Sequence, residues 1–269
     1  MRSHQMPTAY RIDLQTERSI RQIVAAMLVL YRRFPLLFTI LALAVVAPYD
    51  LAFLGITGYG PLARIAHDDK ALSLSLLNSF LRDFLVIALI SALHVHAVNA
   101  IGDGQRPRLK AVALRGIQVL PVVAATEVIT YVGTFVGFIF LIVPGFLLAL
   151  RWTVSAQAAA LERQGPSAAI DSSRQLTSGH YWHIIGLQLL FGALAIGVDL
   201  GARAIAPGGT SGVVSVCVGI AVQTIVASFS ALSLALLYFD LQARAQSHRD
   251  GMPALLAAEL GHEVEQGGA

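Results

Sequence analysis

The 269-residue sequence predicts an all-α fold, a polytopic membrane bundle of six transmembrane helices with amphipathic helices lying along its cytoplasmic face. Three observations carry this. The chain is 56% hydrophobic and only 13% charged, with a mean hydropathy of +0.68, where an ordinary soluble domain carries about 25% charged residues. A soluble fold of this length has too much surface for so few charges. Residues 84–102, 128–150 and 204–239 contain no Asp, Glu, Lys or Arg, and an apolar run of about 18 residues is long enough to cross a bilayer. These runs are rich in Ala and Leu, which favour helices. The period-2 alternation over about 10 residues that a membrane barrel requires is missing.

The lone Cys217 excludes a disulfide framework or a cysteine metal site within the chain. The net charge of +3 and pI near 9.2 bear on membrane sidedness and give no signal for nucleic acid. The first apolar run starts only at Phe34, is long, and lacks a small-residue cleavage site after it. No cleavable leader is therefore expected.

Residues 1–15 are polar and read as a disordered tail. From residue 16, Ile20, Ile23, Val24, Met27, Leu28 and Tyr31 recur at helical spacing. With Arg18, Arg21, Arg32 and Arg33 around that stripe, the segment reads as a basic helix lying in the interface. The first span covers about 34–56, and Pro48 with Asp50 predicts an irregular far end. A connection at 57–76 leads to the second span, about 77–100. Arg82 near its start can snorkel, and His94 and His96, two apart, point to different sides and read as packed or interfacial histidines. IGDGQRPR (101–108) is a basic turn. A second amphipathic stripe at 108–120 enters the third span, about 117–134, with Glu127 inside it. Gly133 and Gly137 predict the turn into the fourth span, about 138–161. Residues 167–178 form a third amphipathic segment, with Ser167 as N-cap and Gly179 as the residue past its C-cap. The fifth and sixth spans cover about 184–201 and 213–239, and a polar tail follows at 246–269. An amphipathic segment before each hairpin raises the idea of a threefold repeat.

Alternate connections divide the Lys and Arg residues 15 to 4, with the larger share on the side of both termini. The positive-inside rule then places both termini in the cytoplasm.

The fourth span holds the sharpest features. Pro144 and Gly145 mark a kink or the first turn of a restarted helix. Arg151 and Glu162 are eleven positions apart, which on one continuous helix puts them on one face about 16 Å apart. An arginine at depth costs several kcal/mol unless it is paired or snorkels. Glu127 is the expected partner of Arg151, with a lipid-headgroup or substrate cavity and snorkelling as alternatives. Asp240 and Arg244, at i and i+4, stabilise a helix end modestly, and Tyr238 and Phe239 sit where an aromatic belt is expected.

The run LIVPGFLLALRW, then Glu162, then Gly165 with Ala169, Ser173, Leu176, Gly179 and Trp182, resembles the bacterial glycerophosphoryl diester phosphodiesterase membrane-domain family and its YciC-like relatives. The closing LYFDLQAR, with Tyr238, Asp240 and Arg244, looks like that family's C-terminal signature. Gln157 stands where the family pattern has proline. The resemblance implies a six-span protein of the bacterial cytoplasmic membrane. In some relatives this region precedes a phosphodiesterase barrel, but only 29 residues follow Asp240, so that activity is not carried over.

The residues show no paired carboxylates beside a nucleophile, no metal-ligand spacing and no phosphate loop. The expected function is therefore non-catalytic and cofactor-free: a protein that interacts with membrane lipids, or a scaffold or accessory that assists a partner. The alternative is a transporter with a site near Arg151 and Glu127. The sequence leaves a protein partner and a homo-oligomer open.

Overall fold

A computed structural model describes residues 13–61, 73–74, 77–78, 81–162, 165–205 and 212–266. The expectations for residues 1–12, for most of the 57–76 connection and for 206–211 lie outside them. The described residues form an all-α bundle. Five helical stretches are long and apolar enough to cross a membrane, and a shorter apolar helix, Leu89–Gly102, stands where the second span was expected.

Helix α1 (Ile20–Arg33) starts at a capping box in which Ser19 and Gln22 exchange side-chain and backbone hydrogen bonds. Its inward face is Ile23, Met27 and Leu30, while Leu28 and Val29 face outward. The helix packs on α9 (Val213–Gln266), and Tyr31 stacks on Phe229 of α9 with ring centroids 4.4 Å apart. Helix α2 (Pro35–Thr57) has Pro35 at its first position, where a missing N–H costs nothing. It runs unbroken through Pro48 and ends at Gly58, whose φ of 75° makes a left-handed cap. The irregular far end expected from Pro48 and Asp50 is thus absent, and Asp50 faces into the bundle, where its Oδ1 meets Arg82.

A π-helical turn (Arg82–Ile87) leads into α3 (Ala88–Gly102). Arg82 Nη2 lies 2.7 Å from Asp50 Oδ1, so this arginine is paired rather than snorkelling. His94 is fully buried, with Nδ1 against the Ile90 carbonyl and Nε2 3.0 Å from Ser228 Oγ.

Helix α4 (Leu109–Phe140) absorbs the second amphipathic stripe without a break. The turn into α5 (Ile142–Arg151) comes at Leu141, the single extended residue between them. Gly133 and Gly137 are therefore not turn residues. They let the arms of the hairpin touch: a Cβ on Gly137 would meet the Gly145 Cα at 3.0 Å, and one on Gly133 would meet the Trp152 ring at 2.8 Å. Pro144 falls in the first turn of α5, where its missing N–H has no intrahelical partner to lose.

After α5 the chain turns at residues 152–154 and restarts as α6 (Ser155–Glu162). Helix α7 (Pro166–Thr177) is capped by Gly165, not Ser167, with Pro166 at its first position. Gly179, at φ 82°, ends its turn as expected. Helix α8 (Tyr181–Ile205) leads to α9, which continues as one 54-residue helix through the polar tail.

The core holds residues from α1, α3, α6, α8 and α9, with Leu232, Leu236, Leu237 and Leu241 of α9 all fully buried. Outward, the pattern of a soluble protein is inverted. Leu36, Ile56, Phe140, Leu189 and Val213 are among many large apolar side chains left open, as expected where the solvent is hydrocarbon.

The hairpin contact gives a direct test. Gly145→Val should collide with the Phe138 backbone, which stands 2.6 Å from the added Cβ, and lower stability by about 1–3 kcal/mol. Gly192→Ala, where nothing lies within 4 Å, should not lower the melting temperature in detergent and should raise it slightly by removing a helical glycine. Thermal unfolding of both variants checks this.

Candidate functional site

The candidate site is built on the break after Arg151. A continuous helix would bond the Arg151 carbonyl to the Ser155 N–H; here that N–H turns to the Trp152 carbonyl at 3.1 Å. The Arg151 carbonyl instead accepts from Ser173 Oγ at 2.9 Å and Thr177 Oγ1 at 3.2 Å. Ser173 Oγ also accepts the Val154 N–H at 3.3 Å. Both hydroxyls come from the inner face of α7 and are fully buried. The third amphipathic helix is therefore an inserted cap for the broken one. Its hydroxyls stand in for the lost rungs, as side chains do at helix ends.

The break also redirects charge. Arg151 does not meet Glu127. Its Nε donates to Tyr181 Oη at 3.2 Å, in the first turn of α8, and among the described residues it forms no ion pair with a carboxylate. The Gly137–Gly145 contact fixes the hairpin register and leaves Glu127 about one helical turn beyond Arg151. The expectation that Arg151 and Glu162 share a face fails for the same reason, because residues 152–154 interrupt the helix that would carry both. A second contact, Gln188 Nε2 to Thr153 Oγ1 at 3.1 Å, seats α8 against the break. Next to Tyr181, Trp182 is 86% exposed, the placement of an interfacial anchor.

On the other side of the break, Trp152 lines a crevice of about 390 Å³ with Tyr131, Phe135 and Phe138 of α4. It is apolar and open to the outer surface of the bundle.

Glu162 accepts from Ser172 Oγ at 2.7 Å and from Tyr238 Oη at 3.0 Å, and Gln242 donates to the same phenol oxygen at 2.8 Å. Tyr238 is fully buried and Phe239 nearly so. These two rings are core, not belt, a correction that follows from the carboxylate waiting inside for the Tyr238 hydroxyl.

Asp240 is fully buried and joins three parts of the chain. It accepts the Arg18 backbone N–H, which lies just before α1, and Arg244 Nε at 2.9 Å. His183 Nε2 of α8 lies 3.2 Å away, in an electrostatic contact too poorly aligned for a hydrogen bond. Arg244 Nη2 reaches back to the Arg18 carbonyl at 2.8 Å. The Asp240–Arg244 pair is thus more than helix-end support: it clasps the chain ahead of α1 to the last helix. Nearby, burial and then the Arg244 charge lower the pKa of His180.

Of the motif residues, Ser173, Tyr238, Asp240 and Arg244 turn inward, Trp182 turns out, and Pro144, Gly145 and Gly179 shape backbone. Gln157 is buried and donates to Ser91 Oγ, which ties α6 to α3. Tyr181, Thr177 and His183 were missed as site residues. No family model matches the chain, and no curated protein or solved structure matches it either.

Two substitutions separate the networks. Asp240→Ala should destabilise the fold by roughly 3–5 kcal/mol, because it strips a buried carboxylate from its partners. Tyr238→Phe should cost only about 1 kcal/mol, since Glu162 keeps Ser172. Chemical denaturation in detergent reads both.

Proposed function

We propose that this chain is a non-catalytic protein of the bacterial cytoplasmic membrane that holds anionic lipid at its basic end. Both termini lie in the cytoplasm in this reading. The observation that carries it is Arg151. Its guanidinium sits half-buried where two helices part, bonded to a neutral phenol, with no carboxylate in ion-pair range among the described residues. Such a charge at the edge of an apolar bundle calls for an anion, and in a membrane the abundant one is a lipid phosphate. Basic residues near the surface each add about 1 kcal/mol of attraction to an anionic leaflet, and the 15-to-4 division of Lys and Arg concentrates them at this end. The exposed Trp182 beside Tyr181 fits headgroup depth. The resemblance to the membrane-domain family of phosphodiesterases supports the same cellular setting. The partners in this reading are membrane lipids, with no role for nucleic acid.

The transport reading has Arg151 and Glu127 build one site near mid-membrane. The bond of Arg151 to Tyr181, at the start of α8, favours lipid binding instead.

Native mass spectrometry of the purified protein, with anionic and zwitterionic phospholipids titrated in, tests the proposal. Arg151→Gln should reduce retention of anionic lipid several-fold and leave zwitterionic lipid unchanged. Its melting temperature should fall little, because only the bond to Tyr181 is lost. Equal anionic retention by both proteins would overturn the reading.

A further inference from the structure

We infer that the α4–α5 hairpin is re-entrant: its tip ends inside the hydrocarbon of the bilayer and does not emerge on the far side. The sixteen residues from Phe135 to Leu150 contain the turn, yet carry no polar side chain. The tip is also bare. Ile139, Phe140, Leu141, Ile142 and Val143 are 66%, 78%, 65%, 76% and 67% exposed. Water on the far side would meet five adjacent large apolar side chains and nothing else.

Length points the same way. Helix α5 has 10 residues, a rise of about 15 Å, or half of a hydrocarbon core of about 30 Å. Its lower end is tied to the first two turns of α8 by the Arg151–Tyr181 and Thr153–Gln188 contacts. Gln188 is the eighth residue of α8, so 17 of its 25 residues lie beyond that level, about 25 Å. The hairpin turn therefore stops short of the far end of α8.

The turn is built for such a place. Each unsatisfied backbone group in hydrocarbon costs several kcal/mol, so a turn there must be minimal. Only Leu141 leaves helical geometry. Its N–H donates to the Gly137 carbonyl at 3.0 Å, and its carbonyl accepts the Gly145 N–H at 3.2 Å. Pro144 removes one further donor from the first turn of α5. The Gly137–Gly145 contact closes the arms next to the turn. The occupant of the surface around the tip is acyl chain, and the hairpin fills space in the leaflet of the basic end.

The inference rests on the membrane fold and is independent of lipid binding at Arg151. Its test uses the full chain in sealed vesicles of phosphatidylethanolamine and phosphatidylglycerol, with Cys217→Ser as background. Ile139→Cys should resist a membrane-impermeant maleimide from both sides, while Gly212→Cys, between α8 and α9, should label from one side. Separately, Phe140→Trp is placed in a Trp152→Phe, Trp182→Phe background, with lipids brominated at different depths. Quenching should be strongest with bromines near the acyl-chain ends. Labelling of Ile139→Cys from the side that labels Gly212→Cys, or strongest quenching near the headgroups, would show a hairpin that spans and overturn the proposal. Absence of quenching at every depth would show a tip covered by protein, and would equally overturn it. Failure of Gly212→Cys to label in any intact vesicle would fault the membrane fold itself.

Discussion

In hydrocarbon a backbone carbonyl has no water to turn to, so every interruption of a helix must be repaired by the protein. The Arg151 carbonyl is where this chain meets that demand. The helix stops at Arg151, and Ser173 and Thr177 supply the two donors that complete it. To deliver them α7 must fold back against the break, which buries Ala169 and closes α6 into the core. Glu162, at the end of α6, then comes within reach of Ser172 and Tyr238. One repaired carbonyl thus accounts for the position of an amphipathic helix and of a buried carboxylate.

The class of fold was legible because it depends on totals. Charge-free runs of adequate length identify helices in lipid whatever their packing. Local chemistry was legible where it is local: Gly179 after α7, and Ile23 and Met27 on the inner face of α1. What failed were arguments assuming helix continuity. Arg151 and Glu162 share a face only on an unbroken helix, and nothing in RWTVSAQ announces the interruption. Pro144 drew attention to the wrong end of α5, because proline is as comfortable in a first turn as at a kink. Gly133 and Gly137 read as a turn, yet they serve close contact; a glycine signals either use, and only the partner across the gap decides. The aromatic-belt reading of Tyr238 failed because its partner, Glu162, is 76 residues away.

The two charged centres near Tyr181 differ in kind. Asp240 is bonded to Arg18 and Arg244, has His183 3.2 Å away, and is fully closed to solvent. Such a centre organises the fold. Arg151 has one neutral partner and remains partly open, and a centre of that sort has capacity left for something outside the chain. Sequence position treats them alike, as isolated charges beside apolar runs. Only their surroundings separate a structural ion from an available one.

The clasp at Asp240 has a consequence for biogenesis. Its two halves are 222 residues apart in the chain. At a translation rate of about 5–20 residues per second, the N-terminal half waits roughly 10–40 s for its mate. Through that interval α1 has an unsatisfied apolar face and must shelter at the lipid surface. A ribosome that stalls before Asp240 leaves it there, so an abandoned nascent chain carries a visible mark of being unfinished.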